Sequence, residues 1–220
     1  MITELRQRYR PGALARLGFS PSDLRALNPN IIVVRENCYG WHGPWAGRSG
    51  WQQISDCFTG TSEGFGRALG LPDGEAVVPI FPNSDYGAGE SGLVGVLHAL
   101  YLRATRGGAI DVDVSLSYYN LHVLKLGTYP AAVWDKIRPE APIRHDWEMT
   151  TSLPAIIPEL ARRRPDVFAN PKFWHELDAP SFGGTLRTLR NVVRPAAGIR
   201  VGIERGAVQN GDDPAEWPQV

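Results

Sequence analysis

Residues 93–116 constrain the fold more than any other stretch. Leu93, Val96, Leu97, Leu100 and Tyr101 recur at i, i+3, i+4, i+7 and i+8, the apolar stripe of a helix. Arg103 and Arg106 stand near its C-terminal end, where the helix dipole favours cations, and Gly107-Gly108 stops it. "IDVDVSL" then alternates strictly: Ile110, Val112, Val114 and Leu116 face one way, Asp111, Asp113 and Ser115 the other, which predicts a half-buried strand. Upstream, the apolar run "AVVPIF" (76–81) reads as a further strand, with Pro79 marking an edge. Strand, helix, strand in that order predicts an α/β unit with a crossover connection.

The N-terminal third fits the same pattern. "SPSDLRALNPN" predicts a short helix with Ser20 as N-cap, Pro21 in the first turn, Asp23 at the positive end of the dipole and Asn28-Pro29 as its stop. "IIVV" (31–34) is too short and too β-branched to prefer helix and reads as a buried strand. A second helix is expected over 51–59. With 220 residues the chain can build one substantial core, or one domain with a smaller appendage. The division expected is at 129, because prolines crowd from Pro130 onward and periodicity weakens. Residues 1–129 are then the α/β segment. Within 130–220, residues 130–154 read as an extended linker, 156–164 as a short helix, and the tail "NVVRPAAGIRVGIERG" as one or two strands.

Charge narrows the function classes. Lysine plus arginine number 23 and aspartate plus glutamate 23, so no net field draws nucleic acid or an anionic membrane. Cys38 and Cys57 are too few for a disulfide framework and suit a reducing, cytoplasmic setting. The stretch "MITELRQRYRPG" has no apolar core of signal-peptide length, and no run approaches the ~20 apolar residues of a membrane span.

Two stretches hold the candidate chemistry. In "PNSDYGAGESG" (82–92), Asp85 falls where the helix begins, and glycines follow at 87, 89, 92 and 95. One reading is a plain N-cap, whose loss would cost about 1 kcal/mol. A phosphate loop fits neither G-x-G-x-x-G nor G-x-x-x-x-G-K-[ST], and no lysine follows. The third reading is a nucleophilic carboxylate beside backbone N–H groups able to stabilise an oxyanion, with small residues at 87–89 letting a bulky substrate approach. The loop "YGWHGPWAGRSGW" (39–51) combines three tryptophans with four glycines. It either plugs the domain surface or walls a ligand site. The five histidines show no H-x-x-x-H or H-E-x-x-H spacing, so no metal set is expected. "GFGRALG" (64–70) lacks the third glycine of a dinucleotide fingerprint, "ARRRP" (161–165) reads as a solvated helix end, and no Ser/His/Asp signature is present.

Four segments in order, "YRPGALARLGFSPSDLRALNPNIIVV", "YGWHGPWAGRSGWQQISD", "PNSDYGAG" and "RGGAIDVDVSLSYYN", resemble the family III CoA-transferases, which include formyl-CoA transferases, carnitine CoA-transferases and α-methylacyl-CoA racemases. The loop with "RENCYGW" is similar to that of fungal-type members. The resemblance implies part of a Rossmann-like parallel sheet, followed by the Pro-rich linker and a small C-terminal segment. It implies that Asp85 attacks the acyl-CoA thioester and passes through an acyl-aspartyl anhydride and an aspartyl-CoA thioester. It likewise implies CoA contacts at Arg16, for phosphate, and Tyr9, near adenine, with Trp51 at the aromatic position of transferase members; the small size of Gly87 and Gly89 sets these two on the substrate side. CoA enters as substrate, with a carboxylic acid as acceptor and no separate cofactor.

Racemase members carry a histidine base where this sequence has Trp51, and proton abstraction needs a positioned base that indole cannot be. Transfer is therefore expected over racemisation or epimerisation. The resemblance also implies a longer polypeptide and an interlocked homodimer, so the chain is expected to pair with itself or with a partner carrying the N-terminal half. A non-catalytic, truncated member that only binds a partner chain is the remaining alternative.

Overall fold

The computed structural model describes residues 4–7, 12–191, 203, 206–213 and 216. They fall into two compact units, Met1–Pro154 and Ala155–Val220. The composition change at 129 and this division are thus separate features of the chain.

The first unit is α/β. Its sheet has three parallel strands in the order β1 (Glu4–Gln7), β2 (Ile32–Asn37) and β3 (Ile110–Ser115), with Val34 opposite Arg6 on one side and Val112 on the other. Parallel strands are ordinarily covered on both faces, and β2 obeys. Ile31 and Val33 pack with Leu24 of α1 (Pro21–Leu27), whereas Ile32 and Val34 pack on the opposite face with Val96, Ala99, Ile110 and Val112. The N-cap expected at Ser20 is present and is one half of a capping box: Asp23 N–H donates to Ser20 Oγ (3.2 Å) and Ser20 N–H to Asp23 Oδ2 (2.9 Å).

Between β2 and β3 run α2 (Gln52–Thr59), α3 (Thr61–Ala68) and the long α4 (Asn83–Arg106), and α5 (Leu116–Leu126) follows β3 directly. The strand expected over 76–81 does not form. Its Val77 is buried and donates its N–H to Ser62 O (3.0 Å), but Pro79 has no N–H to extend a ladder. The alternation over 110–115 holds, whereas Leu116 opens a helix instead of ending the strand, with Ser115 Oγ capping Tyr118 N–H (3.1 Å).

Of the apolar stripe on α4, Val96 packs on the sheet and the other members do not. Gly92 and Ala99 are buried there, and a Cβ on Gly95 would stand 2.5 Å from Val112 Cγ1. Small residues let the helix lie close on β3, so Leu93 (59% exposed), Leu97, Leu100 and Tyr101 (65%) are left outward. The stretch read as a linker carries α6 (Ala131–Ile137), and the helix expected over 156–164 is longer, α7 (Met149–Arg163), with Pro154 and Pro158 inside it.

The second unit holds α8 (Pro165–Phe168) and an antiparallel hairpin, β4 (Trp174–Ala179) with β5 (Gly184–Leu189), turned by a single 3-10 turn and Gly183 at φ 67°. Sequence reading did not anticipate this hairpin. The strands expected over 191–206 lie almost wholly outside the described residues.

Candidate active site

Asp85 is the third residue of α4. Pro82 occupies the N-cap position, so a first-turn placement replaces the N-cap reading. A carboxylate there is favoured by the helix dipole, by about 0.3–1 kcal/mol at an exposed position. The Asp85 side chain is exposed, while the residue before it, Ser84, is fully buried.

The two glycines expected on the substrate side differ. A Cβ on Gly87 would fall 2.0 Å from Cζ of Tyr119, so the ring of Tyr119, from α5, fills the space beside Gly87 and leaves none there for a ligand. Gly89 has nothing within 4 Å of its would-be Cβ.

The tryptophan-rich loop divides residue by residue. Asn37 braces its start, donating from Nδ2 to Gly40 O (2.7 Å) and accepting from Gly40 N–H (2.9 Å). Trp41 donates Nε1–H to Val114 O (3.2 Å) and lies 4.4 Å from the guanidinium of Arg35, which is itself held by both Asp113 oxygens (2.7 and 2.6 Å). Trp45 packs with Tyr39 and Phe58 in an aromatic trio. Both of these serve the surface-plug reading. Trp51 does not: it stands at the N-cap of α2 with its side chain 76% exposed, free to wall a ligand.

Behind these residues lies a polar cluster that sequence reading missed. Asp56 is 1% exposed and accepts three hydrogen bonds: from Gln52 Nε2 (2.6 Å) at Oδ2, and from Asn120 Nδ2 (2.7 Å) and Ser84 Oγ (3.4 Å) at Oδ1. Asn120 Nδ2 also donates to Ser55 Oγ (3.1 Å), whose hydroxyl meets that of Ser117 (3.1 Å). Burial pushes the Asp56 carboxyl above its ordinary range, and the donors from Asn120, Gln52 and Ser84 oppose that rise. The signal was available in sequence. Gln52, Ser55, Asp56 and Thr59 recur at helical spacing and make a polar stripe along α2. Cys38 lies close by, its thiol donating to Trp51 O (3.7 Å). Burial, helped by the negative charges of Asp56 and Asp85, raises the Cys38 thiol to about 11.

Of the two expected CoA contacts, Arg16 sits in a single 3-10 turn (Ala15–Leu17) with its side chain exposed, and Tyr9 lies outside the described residues. Among the described residues no group of three or more His, Cys, Asp or Glu gathers as a metal set, and no helix is long and apolar enough to cross a membrane.

Comparison with known proteins identifies the family. The model of CoA-transferase family III matches residues 5–147. The chain is 40% identical over 223 residues to the acetyl-coenzyme A transferase nodX of Hypoxylon pulicicidum, covering 96% of this chain and 37% of that protein. It is 32% identical over 196 residues to an acyl-CoA transferase of Gibberella moniliformis, covering 86% and 34%. In fold it is similar to a crystal structure of a mutant of Rv3272 from Mycobacterium tuberculosis, with TM-score 0.62, 21% identity, and coverage of 92% of this chain and 72% of that one. The chain belongs to CoA-transferase family III. It spans little more than a third of the length of the two fungal relatives.

Proposed function

We propose that this chain carries the nucleophile of an enzyme that moves coenzyme A from an acyl-CoA to a carboxylic acid. The observation that carries the reading is the placement of Asp85: an exposed carboxylate in the first turn of α4, anchored by a buried neighbour and four residues before an unobstructed Gly89. An Asp85 oxygen attacks the thioester carbonyl, the C–S bond breaks, and a mixed acyl-aspartyl anhydride and CoA thiolate result. The thiolate then attacks the Asp85 carbonyl of the anhydride, expelling the first carboxylate and leaving an aspartyl-CoA thioester. The acceptor carboxylate attacks that carbonyl and releases the thiolate, which takes the new acyl group and restores Asp85. The N–H groups of the first turn meet the negative charge that develops at each addition.

Trp51 supports transfer over racemisation, since indole cannot take the α-proton. CoA is the substrate here, and no further cofactor enters these steps. Arg16 and Tyr9 are proposed as CoA contacts on the resemblance. The free thiols of Cys38 and Cys57 support a reducing, cytoplasmic setting. The homodimer implied by the family belongs to the same proposal, supported by the apolar face that α4 leaves open through Leu93, Val94, Leu97 and Tyr101. Sedimentation of a single monomeric species at micromolar concentration would count against it.

Incubation with a series of acyl-CoAs, trapping with hydroxylamine and peptide mapping test the chemistry. A hydroxamate at Asp85 that is absent in Asp85→Asn is expected. No adduct with any acyl-CoA, in a chain that also binds none, would sink the reading.

A further inference from the structure

Each oxygen of the buried Asp56 carboxylate holds a residue adjacent to one of the two exposed site residues. Oδ2 accepts from Gln52, which follows Trp51 in the chain, and Oδ1 accepts from Ser84, which precedes Asp85. The third donor, Asn120, brings in α5, the helix whose Tyr119 also fills the space beside Gly87. Residues 84 and 87 flank Asp85 on the helix, and both are thereby clamped from behind. The three donors are neutral, two amides and a hydroxyl, and all of them point at the carboxylate, so the arrangement requires an acceptor on both oxygens. No apolar side chain, and no amide, meets that requirement unaided. A buried polar group this dependent on its partners is costly if one is lost and specifies one geometry if all are kept.

We propose that Asp56 is a positioning residue that sets Trp51 and Asp85 in register, by fixing the first turns of α2 and α4 through one carboxylate. It touches no substrate and acts through Gln52 and Ser84. The role rests on the reading of Asp85 as the nucleophile, so its test needs a readout that does not depend on turnover.

The informative variant is Asp56→Asn. Its amide sets a donor against Gln52 or against Asn120, so one of the two holds is lost. Adding Asn120→Asp reverses donor and acceptor across that bond: the new amide can donate to residue 120 and still accept from Gln52, while the Ser84 hydroxyl turns to accept. Amide hydrogen exchange is measured first, on wild type, D56N and D56N/N120D. Exchange should rise at 51–53 or at 83–87 in D56N, according to which hold is lost, by about tenfold or more as expected for local opening, and fall back in the double variant. Single-turnover acylation of Asp85 is measured next. The limiting rate should drop by about tenfold or more in D56N, as a misplaced reacting group does, with the half-saturating acyl-CoA concentration moving less than about twofold, and the double variant should recover most of it.

Ser84→Ala covers the case in which D56N does not fold. It removes only the α4 hold and should raise exchange at 83–87 alone. Unchanged exchange at both turns in D56N or, where D56N does not fold, at 83–87 in S84A overturns the proposal, as does a loss seen only in half-saturation. Absence of an Asp85 adduct in wild type instead overturns the CoA-transfer reading, and the exchange data then still decide whether Asp56 couples the two turns.

Discussion

At the scale of single residues, the two cysteines give the sharpest contrast. Cys38 is buried with its thiol pushed up to about 11, whereas Cys57 is exposed. Only thiolate reacts at an appreciable rate, so iodoacetamide at pH 8 should label Cys57 and leave Cys38 unmodified in the folded chain, as peptide mapping reads. Labelling of Cys38 at a comparable rate would contradict the packing around it. Asp85 was legible as a candidate from its neighbours in sequence, but its local reading stayed open because a first-turn carboxylate and a cap look alike in a string of letters. Asp56 was not legible. Its role depends on Asn120, 64 residues away, and on Ser84, 28 residues away. The polar stripe along α2 was the available clue, and periodicity read only for apolar residues passes over it.

At the scale of elements, the helices around the site turn convention over. α2, α4 and α5 pack on one another and bury Gln52, Ser55, Asp56, Ser84, Gly87, Ser117 and Asn120. Ile54, Leu93, Leu97 and Leu121 are left outward. The sequence therefore revealed that α4 is a helix and where it stops, but the stripe that revealed it is, Val96 apart, not the face packed on the sheet. Glycines decide that face. Gly95→Ala drives a Cβ against Val112, a stiff β-branched side chain in a strand, and should destabilise by about 1–3 kcal/mol as overpacking does. Gly89→Ala meets no neighbour and should stabilise by about 0.5–1 kcal/mol through the lost flexibility of the unfolded chain. Urea unfolding of both variants checks the pair, and equal effects would contradict the close approach of α4 to β3. The strand expected at 76–81 failed at this scale too. A single Pro79 removed the donor that a ladder needs, and the run settled as an extended segment beside α3.

At the scale of the whole molecule, the first unit is closed by a long-range clamp. Glu75, after α3, receives Arg144 through Nε and Nη2 (2.5 and 2.8 Å), with His145 Nδ1 at 3.2 Å. The Arg144 guanidinium, with help from His145, holds the Glu75 carboxyl down at about 2. A carboxyl depressed in the folded state contributes stability above its unfolded value, near 4.5, and loses it as pH falls toward 2. Wild type should therefore exceed Glu75→Gln in unfolding free energy at pH 6, and the gap should close between about pH 4.5 and 2 in urea titrations. A gap independent of pH would contradict the clamp. That β2 and β3 belong to an α/β unit was legible from the strand and helix patterns over 31–116, whereas β1 was not anticipated. Nor was the β4–β5 hairpin legible, because "WHELDA" and "GTLRTL" carry charges and few apolar residues.

The central claim is that Asp85 becomes covalently bound to CoA. Treating the chain with acyl-CoA, quenching with sodium borohydride and sequencing the peptides by mass spectrometry tests it most directly, since borohydride reduces an aspartyl thioester to the alcohol and releases the thiol. The account predicts homoserine at position 85, dependent on acyl-CoA and absent from Asp85→Asn. An unreduced Asp85 with every acyl-CoA that binds, or reduction at another carboxylate, would contradict it.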